Sequence, residues 1–219
     1  MVVSQLYAIA DVQVLAARGI ALADFARELR AADVGLVQYR NKNGSPQEVL
    51  RGAATLREAM AGSGCKLIMN DRADLAVLAG FDGVHVGQGD LSPEEARRIV
   101  GPDAIVGIST HSEEQVRAAD PASQDRDVRH PVGGVDYIAI GPVFSTGTKL
   151  DAAPVVGLEG VRRARALTAK PLVAIGGITR ANARSVIEAG ADSIAIISAL
   201  FAADESVEQV ARDFLARLR

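Results

Sequence analysis

The sequence predicts a (β/α)8 barrel of the TIM type. Short β-branched runs alternate with longer segments rich in Ala, Arg and Glu along the 219 residues, which indicates a parallel sheet with helical crossovers. The runs are continuously apolar, as expected of strands that are covered on both faces. Hydrophobic residues make up 48% of the chain and aromatic residues only 4%, so the core is predicted to consist of Ala, Val, Ile and Leu.

Eight segments have the pattern of strands, and this number favours a closed barrel over an open doubly wound sheet, which remains the alternative. The segments are Leu6–Ile9, Leu36–Tyr39, Lys66–Met69, Gly83–Val86, Ile105–Ile108, Tyr137–Ile140, Leu172–Ile175 and Ser193–Ile197. No low-complexity linker divides the chain, so we expect a single catalytic domain over residues 1–219. The polar segment Asp120–Gly134 contains two prolines and ends in a Gly pair, which predicts a surface loop.

Several helices have recognisable start and stop signals. Ser45 and Ser92 are each followed directly by Pro, with a Glu three residues after the Ser, a pattern typical of helix starts. Helix ends are predicted at Ala79-Gly80 and Ala189-Gly190, because Gly readily takes the left-handed conformation that ends a helix.

The composition argues against several classes of function. The formal net charge is −3, so no basic excess draws the chain to nucleic acid or to an anionic membrane. Cys65 is the single cysteine, which excludes an internal disulfide and fits a reducing compartment. The longest apolar stretch, Ser193–Ala203, is too short to span a bilayer, and Asp11 interrupts the first apolar run, so no secretory signal is expected. We therefore expect a cytoplasmic protein.

A basic group closes the second predicted strand, at the end of the barrel where active sites lie. Gln38, Arg40 and Lys42 follow one another with period two, so their side chains share one side if the strand continues. Two cations and an amide that converge there would bind an anion such as a phosphate. The alternative interpretation is an exposed basic rim without a ligand.

An acidic pair follows the third and fourth predicted strands. Asn70-Asp71 ends the third strand, and Asp90 closes the motif HVGQGD after the fourth. Carboxylates on adjacent loops can share Mg²⁺, which prefers oxygen ligands and commonly bridges to substrate phosphates. The alternative is that Asp71 and Asp90 are helix N-caps.

Two more polar residues lie at strand ends. His85, near the end of the fourth strand, is either a barrel-lining residue or a substrate contact. Ser109, at the end of the fifth strand, is placed either to reach a substrate oxygen with its hydroxyl or to cap the following helix.

The last three strands are followed by segments suited to anions. The segment Gly141–Lys149 contains hydroxyls and a Lys within a Gly-containing loop, which suggests an anion lid. Gly176-Gly177 after the seventh strand and Ile197-Ser198 after the eighth match the common barrel phosphate site, where backbone N–H groups hold a phosphate monoester. This pattern indicates phosphate and does not specify one reaction.

Taken together, these motifs resemble the thiamine-phosphate synthase family from Leu6 to about Leu200. They are QYRNK, the Asn70-Asp71 pair, HVGQGD, GIST, GPVFSTGTK, and IGGI with Ile197-Ser198, in the family's order. The family fold, a (β/α)8 barrel, agrees with the prediction from the pattern. The sequence departs from the family at Asn41, Gly89 and Ser145, and none of these is a proposed ligand.

The resemblance implies a Mg²⁺-dependent transferase. The family joins 4-amino-2-methyl-5-hydroxymethylpyrimidine pyrophosphate to 4-methyl-5-(2-hydroxyethyl)thiazole phosphate, and it releases pyrophosphate and thiamine phosphate. By similarity, the metal ligands are Asp71 and Asp90, and the groups acting on the reacting pyrophosphate are Arg40, Lys42, Ser109 and Lys149. The resemblance implies that the pyrimidine pyrophosphate is held by Gln38, Arg40 and Lys42, with Asn70 beside it, and that its pyrophosphate contacts Ser109 and Lys149. The implied contacts of the thiazole substrate are Thr146 and Thr148, and those of its phosphate are Gly177, Ile197 and Ser198.

Three other functions compete with this one. A thiazole tautomerase of the same fold transfers protons and has less use for the Arg40/Lys42 and Asp71/Asp90 sets. Another phosphate-binding barrel, such as an epimerase or an indole-forming synthase, would not need those sets in this order. A non-catalytic regulator that binds a phosphorylated ligand has no need of intact catalytic groups.

Overall fold

The computed structural model describes residues 4–121, 134–147 and 154–218, which form a closed barrel of parallel strands. The strands are β1 (Leu6–Asp11), β2 (Leu36–Arg40), β3 (Lys66–Asn70), β4 (Gly83–Val86), β5 (Ile105–Thr110), β6 (Tyr137–Ile140), β7 (Leu172–Ile175) and β8 (Ser193–Ile196). Each strand pairs with the next in sequence order, and β1 closes the barrel against β8 through Leu6 and Ile194. The predicted (β/α)8 class is confirmed.

Helices surround the barrel on its outer side. They are α1 (Val12–Ala17), α2 (Leu22–Ala31), α3 (Pro46–Ala59), α4 (Ala73–Ala79), α5 (Pro93–Val100), α6 (Glu113–Ala119), α7 (Gly157–Leu167), α8 (Ala183–Glu188) and α9 (Val207–Leu218). The predicted starts of α3 and α5 are confirmed, because Ser45 and Ser92 each form a capping box with the Glu three residues later. Gly80 ends α4 in the left-handed conformation, with φ of 64°.

The core has two layers, and their compositions differ. The larger layer lies between strands and helices and consists mainly of aliphatic residues, as the composition predicts, with Phe25, Tyr39 and Phe214 among them. The smaller layer fills the barrel interior, where Tyr7, Ile68 and Tyr137 are almost fully buried. Along β2, the side chains that face this interior change from Leu36 to Gln38 with progress toward the carboxyl end. The barrel interior is therefore apolar near the start of β2 and becomes polar near the carboxyl ends of the strands, a region that we call the mouth.

Five strands differ in length from the predictions. β1, β2, β3 and β5 are longer, because hydrophobicity alone misses polar strand ends, and β8 is shorter. β1 continues to Asp11, which pairs in register with Arg40 of β2. β5 continues to Thr110, whose hydroxyl donates to the carbonyl oxygen of Ala139 at 2.9 Å. β8 ends at Ile196, one residue before the predicted end.

Two other expectations concern the surface of the molecule. No helix among the described residues is long and apolar enough to cross a membrane. Most of the predicted loop Asp120–Gly134 lies outside the described residues.

Candidate active site

Two cavities meet at the carboxyl end of the barrel. The larger has a volume of about 740 Å³ and is lined by β5 to β8 and the segments that follow them. The smaller lies in the barrel mouth and is lined by residues of all eight strands, including Gln38, Arg40 and Asn70. Ser109 and Ile197 line both cavities, so the two spaces adjoin. This adjacency allows one ligand to extend from one space into the other.

Gln38 and Arg40 line the same cavity, as the period-two pattern predicts. Gln38 is buried and donates from Nε2 to the Tyr7 hydroxyl at 3.0 Å. The guanidinium of Arg40 forms an ion pair with the buried carboxylate of Asp11. Asp11 also caps α1 by accepting hydrogen bonds from two backbone amides at 3.0 and 3.1 Å. The cap fixes Asp11, and Asp11 in turn orients Arg40.

Lys42 does not continue this row, because β2 ends at Arg40. Its ammonium instead lies 3.2 Å from a carboxylate oxygen of Asp71, and both groups are partly exposed. Asp71 thus has a basic partner that comes from the neighbouring strand end. The basic group and the acidic pair are therefore parts of one site.

Asp71 and Asp90 interact with each other. Burial raises the pKa of the Asp71 carboxyl, the nearby Asp90 carboxylate raises it further, and Lys42 opposes both effects. Asp90 also accepts a hydrogen bond from the amide of Gly87 at 2.8 Å, which closes its loop. A divalent cation bound between Asp71 and Asp90 would favour the charged form of Asp71, which burial and Asp90 disfavour.

The interpretation of these residues as helix caps is wrong. Arg72 is the N-cap residue of α4 and Ser92 that of α5, so neither Asp71 nor Asp90 holds a helix end. Asp71 has a φ of 63°, a left-handed conformation that is uncommon for a residue with a side chain. Strain of this kind is often retained where it directs a side chain into a functional site.

The described residues contain no cluster of three or more His, Cys, Asp and Glu side chains that could hold a metal ion on its own. A pair of carboxylates still fits Mg²⁺, which keeps several waters and shares its shell with substrate phosphates. Asp71 and Asp90 are the residues that would hold it.

His85 and Ser109 belong to the interior of the mouth. His85 lies in β4, and its Nε2 is 2.8 Å from the hydroxyl oxygen of Ser109 in β5. Ser109 is not a helix cap, since Ser112 caps α6. Gln88 fixes the Ser109 backbone by donating to its carbonyl oxygen at 2.6 Å. The Ser109 side chain is thus held at the boundary between the cavities.

The larger cavity contains the predicted phosphate segments. Its lining includes Thr146, Gly177, Ile197 and Ser198, four of the predicted contacts. Gly177 has a φ of 64°, and a Cβ there would lie 2.5 Å from the carbonyl oxygen of Ser145, so a side chain does not fit. The turn thus brings backbone, and no side chain, to the cavity wall. Thr148 and Lys149, the remaining predicted contacts, lie outside the described residues.

Asn182 stabilises the turn at Gly176-Gly177, the glycine turn, with two hydrogen bonds. Its Oδ1 accepts from the amide of Thr179 at 2.7 Å, and its Nδ2 donates to the carbonyl of Gly177 at 3.2 Å. The two bonds close a small loop around the segment that lines the larger cavity. Asn182 is not among the predicted site residues, although an Asn a few residues after a Gly pair is a recognisable turn signal.

Three more residues of the site are absent from the prediction: Asp11, Tyr7 and Tyr137. Asp11 was noted only because it interrupts an apolar run, yet its place at a strand end is the signal that marks the other site residues. Tyr7 and Tyr137 are 130 positions apart in sequence and meet inside the barrel, with hydroxyl oxygens 3.0 Å apart. No local pattern predicts such a pair.

Comparisons with known proteins point to one family. The family model described as thiamine monophosphate synthase matches residues 6–200. A thiamine-phosphate synthase of Koribacter versatilis is 51% identical over 179 residues, covering 82% of this chain and 79% of the relative. One of Azorhizobium caulinodans is 40% identical over 203 residues, covering 93% and 90%.

A solved structure supports the same assignment. The thiamine phosphate pyrophosphorylase from Pyrococcus furiosus superposes with a TM-score of 0.83 at 32% identity, covering 98% of this chain and 95% of that one. The similarity extends over nearly the whole length of both chains. The chain belongs to the thiamine-phosphate synthase family.

Proposed function

We propose that this chain condenses 4-amino-2-methyl-5-hydroxymethylpyrimidine pyrophosphate with 4-methyl-5-(2-hydroxyethyl)thiazole phosphate, the thiamine-phosphate synthase reaction of its family. One observation carries the proposal: a mouth lined by Arg40 and Asn70 adjoins a cavity that ends in a glycine turn, and Asp71, which follows Asn70, interacts with both Lys42 and Asp90. The first space suits a pyrophosphate with its metal, and the second suits a phosphate monoester. The two substrates of the reaction carry these two groups.

Asp71 and Asp90 hold Mg²⁺ in this proposal. When bound, Mg²⁺ neutralises charge on the pyrophosphate and so favours its departure. The ammonium of Lys42 lies 3.2 Å from a carboxylate oxygen of Asp71, so it is placed to approach the oxygens of the same pyrophosphate. Arg40, oriented by Asp11, supplies a directed cation from the neighbouring strand.

The residues need mainly to stabilise a leaving group. The amino-pyrimidine can delocalise a methylene cation, so the carbon–oxygen bond can break before the thiazole nitrogen attacks, and no protein nucleophile is required. Gln38 and Asn70 line the mouth and hold the pyrimidine. Ser109 and Lys149 contact the departing pyrophosphate, and stabilising its charge is the main catalytic effect.

The thiazole substrate is anchored at its other end. Gly177, Ile197 and Ser198 hold its phosphate, and Thr146 and Thr148 lie along the thiazole. A fixed phosphate places the ring nitrogen for attack, so the bimolecular step becomes effectively intramolecular. We place this chemistry in the cytoplasm, in agreement with the single thiol.

Incubation of the protein with both substrates and Mg²⁺, followed by mass spectrometry, tests this function. Thiamine phosphate should form together with one pyrophosphate per product, and omission of either substrate should abolish the product. Conversion of a thiazole carboxylate isomer without any pyrophosphate release would point instead to a tautomerase. No turnover of either kind, under conditions where a known synthase works, would identify a binding protein.

A further inference from the structure

A chain of hydrogen bonds crosses the barrel beneath the cavities. Gln38 donates from Nε2 to the Tyr7 hydroxyl at 3.0 Å. The Tyr7 and Tyr137 hydroxyl oxygens are 3.0 Å apart, and the Tyr137 oxygen is 2.8 Å from Nδ1 of His85. Nε2 of His85 is 2.8 Å from the hydroxyl oxygen of Ser109. The chain joins five strands and ends at the cavity wall.

Donor and acceptor chemistry gives this chain a direction. The amide nitrogen of Gln38 only donates, so the Tyr7 oxygen accepts that bond, and among the described residues Tyr137 is the one partner left for the single hydrogen of the buried Tyr7 hydroxyl. Tyr137 accepts that bond and directs its hydrogen to Nδ1 of His85. Burial raises the pKa of both tyrosines, so both remain protonated donors at neutral pH. Nδ1 of His85 therefore accepts, and the imidazole hydrogen resides on Nε2.

The Tyr137 ring fits closely against the neighbouring strand β5. Tyr137 in β6 lies opposite Gly107 in β5, where a Cβ would come within 2.0 Å of the ring and 2.4 Å of its hydroxyl oxygen. His85 stacks on the ring with centroids 5.5 Å apart, and Tyr7 meets it edge-on at 5.9 Å. The hydroxyl is thus fixed in place by steric fit as well as by its hydrogen bonds.

We propose that Tyr137 is a positioning residue, which holds His85 as the Nε2–H tautomer so that Ser109 accepts from His85 and turns its own hydrogen toward the substrate. Ser109 lines both cavities, so that hydrogen meets the bound ligand. This proposal rests on the proposed function, in which Ser109 contacts the departing pyrophosphate. A hydroxyl hydrogen stabilises the growing negative charge there, whereas a lone pair would repel it.

The tautomer can be measured on the free protein. With ¹⁵N-labelled histidine, the two ring nitrogens of His85 can be distinguished by their shifts and by their couplings to the ring protons, and His85→Gln identifies the signals among the three histidines. We expect Nε2 to carry the proton in the wild type and Nδ1 to be unprotonated. Tyr137→Phe should remove the hydrogen bond to Nδ1 of His85 and give a mixture of the two His85 tautomers. A wild-type protein with the proton on Nδ1 would overturn the proposal.

Steady-state kinetics distinguishes a positioning role of Tyr137 from a role in folding alone. Tyr137→Phe should lower kcat about tenfold and leave the KM for the thiazole phosphate within about twofold, because one oriented donor to the leaving group is lost. Tyr39→Phe is the matched control, since it removes another buried tyrosine hydroxyl, which contacts Asn41 at 3.5 Å and does not belong to the chain. Equal kcat in Tyr137→Phe and Tyr39→Phe would overturn the proposal.

Tyr7→Phe keeps the test decisive if Tyr137→Phe does not fold. In this variant Tyr137 loses the bond from Tyr7 and keeps its own bond to His85, so we expect the Nε2–H tautomer to persist and kcat to fall less than about threefold. A complete switch of tautomer in Tyr7→Phe would contradict the stated direction. Failure of the proposed function is distinct, because it would appear as a wild-type protein that makes no thiamine phosphate.

Discussion

At the scale of single residues, the site depends on charges that are held by partners. Arg40 is oriented by buried Asp11, and Lys42 lies against Asp71, so neither cation is a loose surface charge. Asp71 is in turn affected by burial and by Asp90. A charged group fixed before the substrate arrives needs little reorganisation during the reaction, which is the usual source of electrostatic catalysis.

The first prediction concerns the proposed metal ligands. Asp71→Asn and Asp90→Asn keep the size of the side chain and remove its charge, so each should raise the Mg²⁺ concentration for half-maximal rate and lower the saturated rate about tenfold or more. The check is a Mg²⁺ titration of the initial rate for each variant. An unchanged Mg²⁺ dependence in both would place the metal elsewhere.

Stability gives the matching control for these variants. The folded-state pKa of Asp71 is raised, first by burial and then by Asp90, so folding favours its protonated form. Its contribution is present at low pH and is lost as pH rises through the ordinary carboxyl range to the raised value. At neutral pH, Asp71→Asn should therefore leave the metal-free melting temperature unchanged or slightly higher. A large decrease would show a structural role.

A second prediction tests the partner of Arg40. Asp11→Asn retains an N-cap for α1, because Asn caps helices as well as Asp does, and it removes the charge that orients Arg40. The KM for the pyrimidine pyrophosphate should rise about tenfold, the order of magnitude of one lost charged hydrogen bond. Asp24→Asn breaks an exposed ion pair with Arg27 and is the control. Equal KM values for the two variants would exclude this role for Asp11.

At the scale of elements, the strand ends set the site and the turns complete it. β1 to β5 bring the polar groups to one side of the mouth, and the turns after β6, β7 and β8 enclose the other side. The turn after β7 depends on glycine, because Gly176 and Gly177 have positive φ and lie against Pro142 and Ser145. Asn182 closes this turn with two hydrogen bonds.

A third prediction follows for the glycine turn. Asn182→Ala removes both bonds and should raise the KM for the thiazole phosphate about tenfold, with kcat changed less than about threefold, because the turn positions a phosphate away from the breaking bond. Arg184→Ala in the exposed face of α8 is the control. The prediction fails if Asn182→Ala affects only the pyrimidine substrate.

A fourth prediction concerns the loop after β6. Lys149 lies in a segment with Gly and hydroxyl residues, and we assign it to the departing pyrophosphate. Lys149→Ala should lower kcat far more than it weakens binding of the thiazole phosphate, because its charge acts mainly as the bond breaks. Steady-state kinetics with each substrate varied in turn provides the check. The reverse pattern would assign Lys149 to the other phosphate.

At the scale of the whole molecule, the periodic parts of the fold could be predicted and the long-range contacts could not. Apolar runs located every strand, and Ser-Pro signals located the starts of α3 and α5. Residues at strand ends could be grouped because parallel strands end on the same side of the barrel. The Asp11–Arg40 pair depends on the register of β1 against β2, and the Tyr7–Tyr137 contact depends on how β1 and β6 meet across the barrel interior. No local pattern encodes either.

The central claim is that one mouth binds two phosphorylated substrates at separate ends. It is tested most directly by measuring both KM values and the Mg²⁺ requirement in Asp90→Asn, in Asn182→Ala and in the double variant. Asp90→Asn should raise the Mg²⁺ requirement and leave the KM for the thiazole phosphate within about twofold. Asn182→Ala should raise the KM for the thiazole phosphate and leave the Mg²⁺ requirement within about twofold. In the double variant the two effects should add, as they do for independent sites. If either single variant changes both parameters equally, the two ends are not separate sites and the account is contradicted.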